Sequence, residues 1–206
     1  LSANKNSINY LFTKPQPIFM YHTLPPKTVA YSKTFVTELM IPAYANFGGR
    51  IHGGILLSLM DKVATACAAK HAGTYCLTVS VDEVSFLHPI EVGDLVTLMA
   101  SVNYVGNTSL VVGVKVQAEN IKTGFQKHTN TTYFNLVAKD EHGRLQQVPT
   151  LVLETMEDIR RFIEALIRKD LKLQNEVAFS SQVNKINILQ EIPRLKKEKC
   201  EIAFDI

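Results

Sequence analysis

The chain has 206 residues, a net charge of +3, and 46% hydrophobic against 20% charged residues. That is the profile of a globular protein with one good core and an appendage, and it gives no reason to expect nucleic acid as a partner. No apolar run reaches the ~18 residues of a membrane span, and no signal-peptide core opens the chain, while a small positive charge still favours an anionic small molecule.

Residues 1–27 are polar and carry Pro15, Pro17, Pro25 and Pro26, so they read as an arm. Residues 28–40 are rich in β-branched and aromatic types and predict a strand, followed by a Pro- and Gly-bearing loop over 41–52. Residues 53–72 predict a helix. Ile55, Leu56, Leu59, Met60, Val63 and Cys67 recur every three or four positions, the opposite side is small, and Gly73 supplies a stop. Strands are predicted over about 75–87, 94–105, 108–120 and 126–139, with turns at Gly106-Asn107 and Lys122-Thr123-Gly124. One strand, one long helix and four strands pack most economically as an α+β domain over 28–153, a mostly antiparallel five-stranded sheet with the helix on its face.

A second helix is predicted over 155–174, with Thr155 and Asp158 placed as a capping box and Ile159, Phe162, Ile163 and Leu166 as its apolar stripe. It opens a C-terminal extension over 154–206, in which Arg194 to Lys199 reads as a solvated basic run. Cys67, Cys76 and Cys200 match no zinc or CxxC spacing. They read as free thiols, so a reducing, cytoplasmic location and no metal are expected, although a trimmed targeting segment stays open because the first residue is Leu1.

Several ordered motifs resemble one family. They are Asn46-Phe47-Gly48-Gly49-Arg50-Ile51-His52-Gly53-Gly54 running on to Asp61, Thr78 to Phe86 followed by Pro89 and Val92-Gly93-Asp94, Val105-Gly106-Asn107-Thr108-Ser109, and Asp140 to Arg144 with Val148-Pro149. Together, over roughly residues 34–172, they resemble the hotdog-fold acyl-CoA thioesterases. The resemblance implies a hotdog fold, a curved antiparallel sheet around a central helix. It also implies hydrolysis of fatty acyl-CoA to fatty acid and CoA, with no cofactor beyond the CoA of the substrate. A homodimer paired edge to edge is implied, assembled further into a hexamer of three dimers.

The chemistry needs carbonyl polarisation, an activated water or carboxylate nucleophile, and a slot for CoA. Gly53-Gly54 opens the helix, where unpaired amides can polarise a carbonyl and a ligand can approach the backbone. Asp61 is a carboxylate in an Ala-rich helix. By residue type alone it is either a solvated edge residue or a site residue; the resemblance implies the catalytic carboxylate, as general base or as nucleophile. Asn46 could simply form a turn, but it matches the family's second essential position. Thr78 matches a hydroxyl near the family's site, Thr108 and Ser109 are candidates to line the CoA channel, and His52 reads as a helix cap. Two other functions compete: a hotdog 3-hydroxyacyl-thioester dehydratase with His52 as base, and a non-catalytic CoA- or nucleotide-binding module. Asp61 lies about 12 Å along the helix from Gly53, so the expected site is composite, with Asn46 and the glycines from one subunit and Asp61 from its partner.

Overall fold

The computed structural model describes residues 24–195 and 197–204, so residues 1–23 of the expected arm and Lys196 of the basic run lie outside it. In chain order the elements are β1 (Lys27–Thr28), α1 (Val29–Ser32), β2 (Thr34–Leu39), a 3-10 turn (Pro42–Tyr44), α2 (Gly53–Ala72), β3 (Tyr75–Val81), β4 (Asp94–Val105), β5 (Ser109–Asn120), β6 (Gln126–Lys139), β7 (Leu151–Val152), α3 (Met156–Val183) and α4 (Ile188–Leu195). Strands β2-β4-β5-β6-β3 form one five-stranded antiparallel sheet. The sheet curls around α2, which is the hotdog arrangement that the sequence resemblance implies.

Helix α2 begins and ends where its sequence dictates. His52 caps the start, and Gly73 ends the helix in the left-handed region at φ 74°, where only glycine avoids a steric penalty. Lys27 Nζ reaches the last carbonyls, donating to His71 O at 2.7 Å and Lys70 O at 3.1 Å, which suits the negative end of the helix. The face buried against the sheet is Leu56, Met60, Val63, Ala64, Cys67, Ala68 and His71. Ile55 and Leu59, expected on that face, are half-buried flank residues, because the small Ala64 and Ala68 let the backbone approach the sheet more closely. Facing them are Val96, Leu98, Ala100 and Val102 of β4, Leu110 to Ala118 on alternate positions of β5, and Phe134, Leu136 and Ala138 of β6.

Three boundaries differ from expectation. The strand expected over 28–40 is broken, because the Thr28 hydroxyl accepts from the Tyr31 amide at 3.1 Å and winds Val29–Ser32 into one helical turn. The strand expected over 75–87 stops at Val81, and residues 82–89 run on without regular strand pairing, their backbone bonding that of β6 at Asp82 N to Tyr133 O and Leu87 N to Thr129 O, each at 2.9 Å. Helix α3 runs past the expected residue 174 to Val183, since no Gly or Pro interrupts the sequence between Met156 and Pro193. Its Thr155–Asp158 capping box is formed as expected. The first half of α3 lies on the outer face of the sheet, with Ala165 buried and Phe162 5.2 Å from Tyr104, ring centre to ring centre.

One buried group makes stability depend on pH. His71 is 0% exposed; Nε2 meets Pro149 O at 3.0 Å, and Nδ1 has no partner among the described residues. Burial, reinforced by Lys27, holds its pKa below the ordinary 6.5 against the opposing pull of the Pro149 carbonyl. The unfolded chain therefore binds this proton more readily than the folded one. The stabilising contribution is complete above about pH 6.5 and falls as pH drops below it. Urea midpoints measured from pH 7.5 to 5 should decline on acidification, and the slope should flatten in His71→Leu. An equal slope in both proteins would show that other groups carry it.

Candidate active site

Asp61 sits in the third turn of α2, facing β3 at the edge of the sheet. Its carboxylate is half-buried, and Oδ1 accepts a hydrogen bond of 2.7 Å from Thr78 Oγ1 of β3. This charge-assisted bond fixes the carboxylate and leaves Oδ2 without a partner among the described residues. The pairing register of β3 against β6 slips between Thr78 and Ser80. Such a bulge commonly re-aims side chains next to a functional site. Here Thr78 faces Asp61, while Ser80, two residues on, faces α3 and accepts from Lys172 Nζ at 3.0 Å. In a regular strand the two would share a face.

Asn46 lies in a tight hairpin closed by the Ala45–Ile51 bridge. Its Oδ1 accepts from Gly48 N at 2.8 Å and Arg50 N at 3.3 Å, so the turn-forming role that its residue type allows is realised. The side-chain NH2 has no partner among the described residues and remains an outward donor. Gly49 has φ 76°, a conformation that demands glycine. Beside Asn46, Phe47 is fully exposed at 114%.

The start of α2 narrows the expected pair of amides. The Gly54 N–H donates to His52 Nδ1 at 2.9 Å, because a capping side chain satisfies one of the open amides of a first turn. Within one chain the Gly54 N–H is thus taken by His52. Gly53 N–H has no partner among the described residues. A Cβ on Gly53 would meet Phe86 Cζ at 3.2 Å, so the Phe86 ring lies over the helix start. That contact has no local signature, because strand-like composition places Phe86 inside the expected 75–87 strand. Replacing His52 by Ala should cost about 0.5–2 kcal/mol of stability, read by urea denaturation, while turnover persists. Complete loss of turnover in a folded His52→Ala protein would instead mark His52 as a base.

Within one chain the candidates fall into separate groups. Asp61 and Thr78 are joined. Asn46 and Gly53 share the loop at the helix start, where His52 N donates to Tyr44 O at 2.8 Å, about 12 Å of helix axis from Asp61. Thr108 and Ser109 belong to neither group. They lie at the β4–β5 turn, where Thr108 O accepts from Ala138 N at 2.9 Å. Ser109 faces away from the core and lines a cavity of about 150 Å³ beneath α3. A larger cavity of about 860 Å³ also lies between sheet and α3, lined by Ser101, Asn103, Tyr133 and Arg161 among others. No group of three or more His, Cys, Asp or Glu suited to a metal occurs among the described residues. No described helix is long and apolar enough to cross a membrane.

Residues 48–125 match the family model described as the thioesterase superfamily. Protein VdlD of Helicobacter pylori is 45% identical over 145 residues, 70% of this chain and 83% of that one. Among solved structures, an apo-hexameric acyl-CoA thioesterase is 33% identical with a TM-score of 0.72, the match covering 74% of this chain and 98% of the other. The acyl-CoA hydrolase of Staphylococcus aureus, solved with butyryl coenzyme A, coenzyme A and coenzyme A disulfide, is 27% identical with a TM-score of 0.70, covering 78% and 98%. That enzyme has also been solved as three alanine variants, of one asparagine, one aspartate and one threonine. These three lie at the same intervals along that chain as Asn46, Asp61 and Thr78 do along this one.

Proposed function

Since the chain belongs to the acyl-CoA thioester hydrolases of the thioesterase superfamily, we propose that it hydrolyses fatty acyl-CoA to a free fatty acid and CoA, at sites shared between two copies of itself. The observation that carries this reading is the Asp61–Thr78 pair, a carboxylate locked by a hydroxyl on an otherwise small-residue helix face. The matching spacing of the asparagine, aspartate and threonine altered in the Staphylococcus aureus hydrolase supports it.

The chemistry follows from which atoms are left open. Asp61 Oδ2 takes a proton from a water as that water attacks the thioester carbonyl. The developing oxyanion is met by Gly53 N–H and the free Asn46 NH2. The tetrahedral intermediate then collapses to the carboxylic acid, and the CoA thiolate leaves and takes up a proton. A base must act within about 3 Å of its water and an oxyanion donor within about 3 Å of the carbonyl oxygen, which Gly53 and Asp61 of one helix cannot both do at about 12 Å separation. Two α2 helices running antiparallel across a two-fold axis bring the start of each to the middle of the other.

The edges of the molecule favour that pairing. Among the described residues, β3 is paired on one side only, with β6. Its sequence, Tyr75 to Val81, contains no charge or proline, and Tyr75, Leu77, Val79 and Val81 are exposed. An uncharged open edge is a template for another strand, and a second β3 satisfies it by two-fold symmetry. Three such dimers would form the hexamer. Three unpaired thiols suit a reducing compartment such as the cytoplasm.

The test is thiol release from a panel of acyl-CoAs, acetyl to palmitoyl. Steady release from at least one fatty acyl-CoA is expected. Release from none, together with hydration of an enoyl-CoA, would replace the hydrolase reading with the dehydratase.

A further inference from the structure

The first turn of α2 has one amide without a partner among the described residues, the Gly53 N–H, and an aromatic ring stands against it. The tip of Phe86 faces Gly53: a Cβ at that glycine would lie 3.2 Å from Cζ, 3.4 Å from Cε2 and 3.8 Å from Cε1. The nitrogen and Cβ of one residue are about 2.5 Å apart, so the ring tip is no more than about 6 Å from Gly53 N. An oxygen bonded to that N–H sits about 3 Å from the nitrogen. The atoms attached to its carbonyl carbon then come within reach of the ring. An exposed aromatic side chain by itself needs no explanation. Phe86, 51% exposed, has its free surface beside the open donor.

The segment that carries the ring is held on both flanks. On the β6 side, Leu87 N donates to Thr129 O at 2.9 Å and His88 Nδ1 meets His128 O at 2.9 Å. On the other side, Ile51 N donates to Ile90 O at 2.9 Å, and the Arg50–Glu91 bridge ties the Asn46 hairpin to the same segment. Phe86, Gly53 and Asn46 therefore belong to one hydrogen-bonded unit. Phe47, the other aromatic beside these donors, is fully exposed, so Phe86 is the ring with a fixed place there. Its backbone cannot retreat without breaking the Leu87 bond. Extra bulk at the ring is accommodated only by turning it out of its contact with Gly53.

We propose that Phe86 is a specificity-determining residue: its ring is the wall against the acyl carbon next to the thioester carbonyl, so that straight-chain acyl-CoA is hydrolysed in preference to acyl-CoA branched at that carbon. This rests on the hydrolase reading given above, with the Gly53 N–H as a donor to the carbonyl. A CH2 next to the carbonyl presents only hydrogens to the ring. A methyl branch at the same carbon adds a whole carbon on the side where the ring tip stands, or forces the carbonyl to rotate away from the Gly53 N–H. One methyl group in an apolar pocket changes discrimination by about 10–200-fold.

The test measures kcat/KM by thiol release for two substrates, the straight-chain acyl-CoA that wild-type hydrolyses best and its 2-methyl derivative. Wild-type should favour the straight chain by about tenfold or more. In Phe86→Ala that preference should shrink by about fivefold or more, through a gain on the branched substrate. Phe86→Leu keeps an apolar side chain at the position and should give an intermediate preference; it decides the matter if Phe86→Ala does not fold. A wild-type enzyme without preference overturns the proposal. So does a preference that is unchanged or larger in the folded variants, or one that shrinks only because the straight chain is hydrolysed more slowly. Equal losses on both substrates leave Phe86 as packing. In each of these cases the hydrolase reading stands. If wild-type releases thiol from no acyl-CoA, the hydrolase reading itself has failed, and the role of Phe86 falls with it.

Discussion

Asp61→Asn should lower kcat for acyl-CoA hydrolysis by about 10²–10⁴-fold, the range that a positioned general base supplies. The substitution keeps size and shape and still offers Oδ1 to the Thr78 hydroxyl, whose bond to Asp61 is 2.7 Å. What disappears is the basicity of Oδ2. Asp61 is half-buried on a helix side away from the core, so stability should change little, within roughly 0.5 kcal/mol. Thiol release and a thermal melt on the same preparation separate chemistry from folding. A folded Asp61→Asn protein with more than about a tenth of wild-type kcat would remove Asp61 from the mechanism.

The second large effect is expected at the open edge. Lysine on an edge strand blocks strand addition, a device that monomeric proteins use. Tyr75 and Leu77 are exposed on β3 of the isolated chain, so Tyr75→Lys with Leu77→Lys leaves the core, formed by Cys76 and its neighbours, in place. Light scattering after size exclusion should shift from an oligomer to a monomer. Hydrolysis should fall by about 10²-fold or more, because each Asp61 loses the oxyanion donors of its partner. A fully active monomer would show that one chain completes a site by itself.

How much of this was legible in the sequence follows from the range of the interactions involved. Helix 53–72 was readable to the residue because its stop, Gly73, and its apolar period are local. The Thr155–Asp158 capping box was readable for the same reason. The five strands and their hairpin turns could be placed, but the one-turn α1 could not, since β-branched composition hid a single Thr28 side-chain bond. Residue type leaves Asp61 open between a solvated edge and a site residue, and only the family resemblance marks it; its pairing with Thr78 joins positions 61 and 78 across two elements and has no sequence signature. His52 was readable as a helix cap, but that it turns back to take the Gly54 amide is a local bond without a signature in residue type. Phe86 over Gly53 and Arg168 over Tyr133 are long-range contacts, invisible to periodicity. The loop asparagine showed why a bland reading and a functional one need not exclude each other. Asn46 Oδ1 builds the turn, and building it leaves the amide NH2 facing outward.

The central claim, a site built from two copies, is tested most directly by mixing two inactive variants. Asn46→Ala lacks the side-chain donor and Asp61→Ala lacks the base. In hybrid dimers one of the two sites pairs an intact Asn46 with an intact Asp61 from the other subunit, and the second site lacks both. Thiol release should therefore reappear on mixing, up to half of the wild-type rate per hybrid dimer, with subunit exchange verified by mass spectrometry of differently tagged chains. Confirmed exchange with no return of activity would mean that Asn46 and Asp61 serve the same subunit's site, and the composite account would be wrong.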